Sequence, residues 1–251
     1  MTIEQQLDTT LELLRSHTSI RDYKKEGLPL GMLEKLLVSA QHAASSHFVQ
    51  AYSVINITDP EKKEAIASLS NNRRQIESAP VLLLFCADLK RLEYACEKQG
   101  TSIQNEILEN FLVAVIDTAL FAQNFVVAAE SQNYGICYIG GVRNNPEEIS
   151  KVVGLPDKTI PLFGMTVGIP NETQLVKPRL PVEAILHENL YNEEKYHLVL
   201  EQYDSQLKEY YRSRLTNQKE ANWTESMSDF LSTPRRKHMK DFVNSKGFQL
   251  K

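Results

Sequence analysis

The sequence predicts an α+β fold in one domain over residues 1–251, with a mixed central β-sheet flanked by helices and a helical C-terminal extension. Three observations carry this. The run PVLLLFCA at 80–87 is continuously apolar and short, the signature of a buried central strand. The strand-like stretches AYSVINIT at 51–58 and TIPLFGMTVGIP at 159–170 are separated from it by helical patterns. From about 192 to 245 the chain is polar with helical periodicity and offers no strand.

Taken in order, 2–16 reads as a first helix, with Leu7, Leu11 and Leu14 at helical spacing. HTSIRDY at 17–23 follows as an extended segment. EGLPL is a turn, and Pro29 sits near the start of a helix over about 30–44. Asp59-Pro60 opens a helix reaching about residue 70. The tract FLVAVIDTALFAQNFVVAA at 111–129 lies within a long helix, about 103–133, with Gly135 as its stop. ICYIGGV at 136–142 begins as a strand and breaks at paired glycines. Asn145 and Pro146 suit the cap and first position of a short helix. EKYHLVLEQYDSQLKEYYRSRL is one long helix, TNQKEANW at 216–223 a polar loop, and WTESMSDFL starts a final helix. These last helices have little core of their own, so the extension from about 190 to 251 reads as an arm reaching onto a second subunit.

Composition narrows the function. The chain has 251 residues, 42% hydrophobic, and a net charge of −4, which argues against nucleic acid or an anionic membrane as its main partner. An anionic ligand must then be held by a local basic cluster. Cys86, Cys96 and Cys137 are far apart and form no CxxC or Cys/His metal spacing, which reads as buried reduced thiols in a cytoplasmic protein. The N-terminus has neither the basic nor the apolar region of a signal peptide. Asp117, Thr118, Gln123 and Asn124 interrupt the apolar tract, which makes it a core or dimer-interface helix in place of a lipid-spanning one.

Three segments carry chemistry. In HTSIRDY, His17, Ser19 and Arg21 share one side of an extended backbone. In KPRLP at 177–181, Lys177 and Arg179 flank a proline that stiffens them, and two fixed cations suit a phosphate. In YIGGV at 138–142, Gly140 and Gly141 let a planar ligand approach backbone N–H groups. Each alone also reads as a cap, a solvated loop or a plain turn. Together they point to a phosphorylated planar cofactor. There is no P-loop or GxGxxG fingerprint, and the competing group His187, Glu188 and His197 has poor metal-ligand spacing.

The same segments resemble the FMN-dependent nitroreductase superfamily, in its branch of NADPH-dependent flavin reductases and oxygen-insensitive nitroreductases. HTSIR at 17–21, AASSHFVQAYS at 43–53, AAESQNYGICYIGGVRNN at 128–145 and LFGMTVGIP…KPRLP carry the resemblance, which spans nearly the whole chain. It implies a nitroreductase-like fold, an obligate-type homodimer with FMN sites at the interface, and NADPH as electron donor. On that basis His17, Thr18, Ser19, Lys177 and Arg179 would hold the FMN phosphate. Arg21 would meet the pyrimidine edge, where a cation stabilises the charge that reduction brings. Ser45, with Ser46, would touch the flavin, and Tyr138, Ile139, Gly140 and Gly141 would line the ring. Arg214 and Lys219 would take the 2′-phosphate of NADPH.

The chain departs from the family pattern in three places. The basic loop has one Arg and one Lys where several arginines are usual. Arg73, or Gln75 in a shifted register, stands where a flavin-contacting glutamine is usual. His47 replaces a more usual serine near the active-site mouth. The implied activity is ping-pong transfer from NADPH through FMN to small-molecule acceptors such as nitroaromatics, quinones or free flavin. A flavin-binding or storage protein without turnover is the alternative.

Overall fold

The computed structural model describes residues 3–214 and 218–251, with side chains from Thr9 onward. The expected start of the first helix at residue 2, and positions 216 and 217 of the expected polar loop, lie outside these. The described residues group into two units, one running through Gln174 and resuming at Arg236–Lys251, the other Leu175–Arg235.

In the first unit the buried run of 80–87 becomes β2 (Val81–Asp88). It pairs with β1 (Tyr52–Asn56) on one side and β4 (Thr159–Gly168) on the other, while β3 (Gly135–Ile139) forms the far edge in the order β1-β2-β4-β3. Every ladder is antiparallel, so the sheet is not the mixed one expected. Hydrophobic runs identify strands, but the path of the connections sets their direction. Parallel pairing among the described residues is confined to one isolated bridge, Ser19 to Ile136.

Because alternate side chains of a strand face opposite ways, β2 feeds two cores. Leu83 and Phe85 pack with α2 (Met32–Ala40) and α6 (Leu108–Ser131), where Leu36, Phe121, Phe125 and Val126 are buried. Leu82, Leu84 and Cys86 pack with α3 (Pro60–Ser70), α4 (Arg73–Ser78) and α7 (Pro146–Val153) through Ile66, Ile76 and Ile149. α1 (Ile3–Arg15) and α5 (Lys90–Lys98) complete the helices of this part. The Asp59 cap is as read: its carboxylate accepts from the N–H groups of Glu61 and Lys62, with Pro60 at the first position. α6 is long and apolar enough to cross a membrane by length and composition, but one of its faces lies in this core.

Three local expectations change. Asn133, at φ 61°, is the left-handed residue that follows α6, while Gly135 begins β3. A Cβ on Gly135 would lie 2.5 Å from Ile20 Cγ1, so its bare backbone is what lets the 17–21 segment lie against the strand. Asn145 does not cap α7 with its side chain; its amide donates to the Leu69 carbonyl at 2.7 Å. The last residues are not all part of an arm: α11 (Met239–Ser245) returns to the first unit, burying Phe242, Val243 and Phe248 against Leu89, Ala114 and Ile160. Of the cysteines, Cys86 and Cys137 are buried and Cys96 is partly exposed.

The second unit contains α8 (Val182–Ile185), α9 (Tyr196–Ser213) and α10 (Trp223–Leu231). Tyr203, Leu207 and Tyr211 form the buried side of α9, and Tyr203 meets the Trp223 ring edge-on. Asp204 accepts from the N–H groups of Trp223 and Thr224 at 2.8 and 2.9 Å, tying α10 to α9 at its orphaned N-terminus.

Replacing Phe248 with Ala should cost the first unit about 3–5 kcal/mol. Urea unfolding would measure it, and an unchanged midpoint would contradict the packing of the C-terminal segment into this core.

Candidate active site

β3 is an edge strand, and its outer backbone groups need partners. The 17–23 segment supplies one at Ile136, where Ile20 N–H donates to Ile136 O at 2.9 Å and Ser19 forms a bridge; farther along, Lys24 N–H donates to Ile169 O, just past β4, at 2.9 Å. Ile20 and Tyr23 are buried, and the Tyr23 hydroxyl donates to Ile20 O at 2.6 Å and pairs with Thr166 Oγ1 at 2.8 Å. Burial pushes that phenol well above its ordinary range. Ser19 and Arg21 flank buried Ile20 and are left more accessible.

This pairing brings the first expected segment to the strand that carries the third. β3 ends in Tyr138 and Ile139, and the chain then winds into a 3₁₀ turn at Gly140–Asn144. A Cβ on Gly141 would collide with the Ser70 carbonyl oxygen and the Asn72 amide. That carbonyl, at the end of α3, also receives the amides of Asn72 at 2.6 Å and Asn144 at 3.1 Å. The turn is therefore docked on a helix C-terminus that needs donors. At Gly140 a Cβ would meet only the Arg143 guanidinium within 4 Å, so this stretch of backbone can be approached closely.

The side chains around this edge have defined partners. His17 Nδ1 lies 2.5 Å from Glu130 Oε1 on α6, which fixes the imidazole and leaves Nε2 for another group. Arg21 N–H donates to Glu172 Oε1 at 2.6 Å, and its guanidinium makes one hydrogen bond, to Ser19 O at 3.3 Å, leaving further donors available. The Tyr138 hydroxyl donates to Gln123 Oε1 at 3.4 Å; burial and nearby Glu130 raise it to about 12, so it stays a neutral phenol at physiological pH.

Ser45 and Ser46 sit at a turn tied to α6. Ser45 Oγ donates to Asp117 Oδ2 at 2.6 Å, and Ser46 N–H donates to Asp117 Oδ1 at 3.1 Å. His47, beside them, is exposed and contacts Ser46 Oγ at 3.3 Å. Arg73 is the first residue of α4, and its Nη1 donates to Glu77 at 2.8 Å and Glu64 at 3.2 Å. It stands as a compensated surface cation, and Gln75 is partly buried on the same short helix.

The second unit holds the remaining expected residues. Pro178 O accepts from the Tyr203 hydroxyl at 2.8 Å, which lays the KPRLP segment along α9. Lys177 Nζ lies 5.3 Å and Lys219 Nζ 4.3 Å from the Tyr211 ring centroid. Burial would raise the Tyr211 phenol, but Lys177 and Lys219 outweigh it and bring it below its ordinary value. Arg179 and Lys177 act in the same sense on Tyr203, where burial prevails. Lys177, Arg179 and Lys219 thus form one cationic neighbourhood, joining residues that the sequence assigned to two different phosphates. Arg214 caps the end of α9, next to the undescribed positions. His187 stacks on Tyr191 with centroids 4.3 Å apart, and among the described residues no group of His, Cys, Asp and Glu could hold a metal.

A profile of the nitroreductase family matches residues 14–169, and a profile of that family's C-terminal domain matches 177–251. The chain belongs to the nitroreductase family. It is 54% identical to the Cr(VI) reductase of Pseudomonas sp. (strain G-1), over 96% of this chain and 99% of that protein. It is 40% identical to the FMN reductase (NADPH) of Bacillus subtilis (strain 168), over the same shares of each. The solved structure of Bacillus megaterium NfrA1 superposes with a TM-score of 0.92 at 40% identity, covering 96% of this chain and 99% of that one. As a nitroreductase-family chain it carries two site-shaping carboxylates that the sequence reading left without a role, Glu130 and Asp117. An acid in the middle of the largely apolar 111–129 tract was the available signal for Asp117.

Gly141→Ala should destabilise the first unit by roughly 1–3 kcal/mol, because backbone and a short amide must move to admit the methyl group. Thermal unfolding checks this, and Gly140→Ala, which meets one flexible side chain, is the milder control.

Proposed function

We propose that this chain binds FMN and passes electrons from NADPH to small-molecule acceptors as a cytoplasmic homodimer. It is an NAD(P)H-dependent flavin oxidoreductase of the nitroreductase family. The observation that carries the site is the pairing of the 17–21 segment with β3, which puts His17, Ser19 and Arg21 on the strand that leads into the approachable Gly140 backbone.

The donor set fits the cofactor. Thr18 and Ser19 hydroxyls and His17 Nε2 in the first unit, and separately the cations Lys177 and Arg179 in the second, are groups that suit a phosphate monoester. The unspent donors of Arg21 suit a carbonyl and a ring nitrogen at a pyrimidine edge. Backbone groups at 138–141 suit the polar edge of a planar ring, and neutral Tyr138 keeps added negative charge away from it. FMN, when bound, supplies the redox chemistry, taking hydride from NADPH and delivering electrons to the acceptor. The chain's own residues bind, orient and set the charge around that exchange. Arg214 and Lys219 recognise the 2′-phosphate that distinguishes NADPH. Arg73 pairs with two exposed glutamates through Nη1 alone, which favours a remodelled contact over a direct replacement of the family's glutamine.

The homodimer reading is supported by the outer face of α6, where Leu112, Ile116 and Leu120, four residues apart, are 43%, 53% and 43% exposed. Residues from both chains then complete each FMN site. Nitroaromatics, quinones and free flavin are the acceptors proposed. The name of the Pseudomonas relative supports small inorganic oxidants as well.

The decisive experiment is an absorbance spectrum of the purified protein without oxygen. Flavin bands should bleach on adding NADPH and return with a nitroaromatic or a quinone. Bands that stay oxidised with both NADPH and NADH would favour flavin storage, and a protein that takes up no FMN would overturn the reading. Arg214→Ala should raise KM for NADPH about tenfold or more, with little change for NADH, since only NADPH carries the extra phosphate. Equal effects on both would remove Arg214 from that role. In gel filtration the protein should run as a dimer, and Ile116→Asp should yield monomer with lost flavin.

A further inference from the structure

The turn at 45–50 holds three non-glycine residues at positive φ, His47 at 46°, Phe48 at 59° and Gln50 at 52°. Such a backbone persists only where its surroundings over-determine it. Two side chains from other elements do so here. Asp117 on α6 is 1% exposed and accepts from Ser45 Oγ at 2.6 Å, Ser46 N–H at 3.1 Å and Ala51 N–H at 3.2 Å. One carboxylate therefore closes both ends of the turn. Arg91 on α5 holds its exit from the other side, donating to Gln50 O at 3.1 Å, Tyr52 O at 3.1 Å and Ser53 Oγ at 2.9 Å.

We propose that Asp117 and Arg91 are positioning residues that lock this turn so that it presents Ser46 and His47 to the flavin site, and that Ser45 belongs to the lock and not to the cofactor's ligands. A serine hydroxyl has one proton to donate. Ser45 gives it to Asp117, and the same oxygen accepts Gln50 N–H at 2.8 Å. It has no donor left for a ligand. Ser46 is exposed, and among the described residues its hydroxyl meets only His47 Nδ1, at 3.3 Å, so it is the serine that can turn to a bound molecule. The presentation half of this inference rests on the flavin function proposed above, while the lock itself rests on the turn's own hydrogen bonds.

The test follows chymotrypsin cleavage after Phe48, which is 80% exposed, by mass spectrometry, and the release of FMN from the purified holoenzyme by fluorescence. Asp117→Asn keeps the volume but puts an NH₂ where an acceptor is needed. It should raise cleavage after Phe48 and FMN release about tenfold or more, as expected for losing hydrogen bonds to a buried charge. Ser45→Ala should do the same in kind, and the double variant should add little to Asp117→Asn alone. Ser46→Ala should speed FMN release with cleavage unchanged. Arg91 has its side chain 56% exposed, so Arg91→Ala can be made without a core void and should also raise cleavage if Asp117→Asn fails to fold. Cleavage at the wild-type rate in the Asp117 and Arg91 variants would overturn the lock. Faster FMN release in Ser45→Ala with unchanged cleavage would return Ser45 to the cofactor's ligands. A wild-type protein without flavin would overturn the proposed function and the presentation of Ser46 to it, and cleavage would still decide the lock.

Discussion

An edge strand that must satisfy its outer hydrogen-bonding groups is the constraint on which the candidate site depends. β3 closes one side of the sheet, and the 17–21 segment completes its ladder at Ile136. That one backbone pairing fixes where His17, Ser19 and Arg21 stand relative to the glycine turn. Gly135 makes it sterically possible, since any side chain there would occupy the space of Ile20. Glu130 adds a side-chain partner for His17 from α6. The arrangement couples a cofactor-type surface directly to the rigid sheet, with little left to loop conformation.

Much of the fold was legible because its signals are local. The short uninterrupted run at 80–87 matched a buried central strand, and Asp59-Pro60 combined a cap with a residue that suits the first helical turn. Strand direction was not legible, because an antiparallel and a mixed sheet bury the same alternation of side chains. α5 was missed, as its face is polar and none of its residues is buried. α4 was missed because it begins at Arg73 within a stretch that family resemblance casts as a turn. The C-terminal return was hidden for another reason: Phe242, Val243 and Phe248 are too few to announce a core segment, and become one only beside Leu89 and Ile160.

For the site, the residue types were legible and their partnerships were not. The alternation in HTSIR was enough to predict a shared face, but Glu130 lies 113 residues away from His17 in sequence. Asp117 was visible only as an oddity in an apolar helix, while its function lies in three donors about seventy residues earlier. Arg73 shows the converse case. Its place in the family pattern suggested a flavin contact, while Glu64 on α3 and Glu77 on α4 share its Nη1. In the second unit, Lys177 and Lys219 are 42 positions apart by number yet share one phenol ring. Two like charges held this close lower the proton affinity of that phenol and enrich the local potential for an anion.

The burial of two of the three cysteines has a consequence for durability. Cys86 and Cys137 lie inside the sheet, where burial pushes both thiols up and keeps them protonated. A protonated, enclosed thiol is a poor nucleophile and a slow target for oxidants. A flavin-dependent oxidoreductase works beside electron acceptors, some of which can oxidise a thiolate. Cys96, on a peripheral helix, is partly exposed and so is more accessible than either core sulfur.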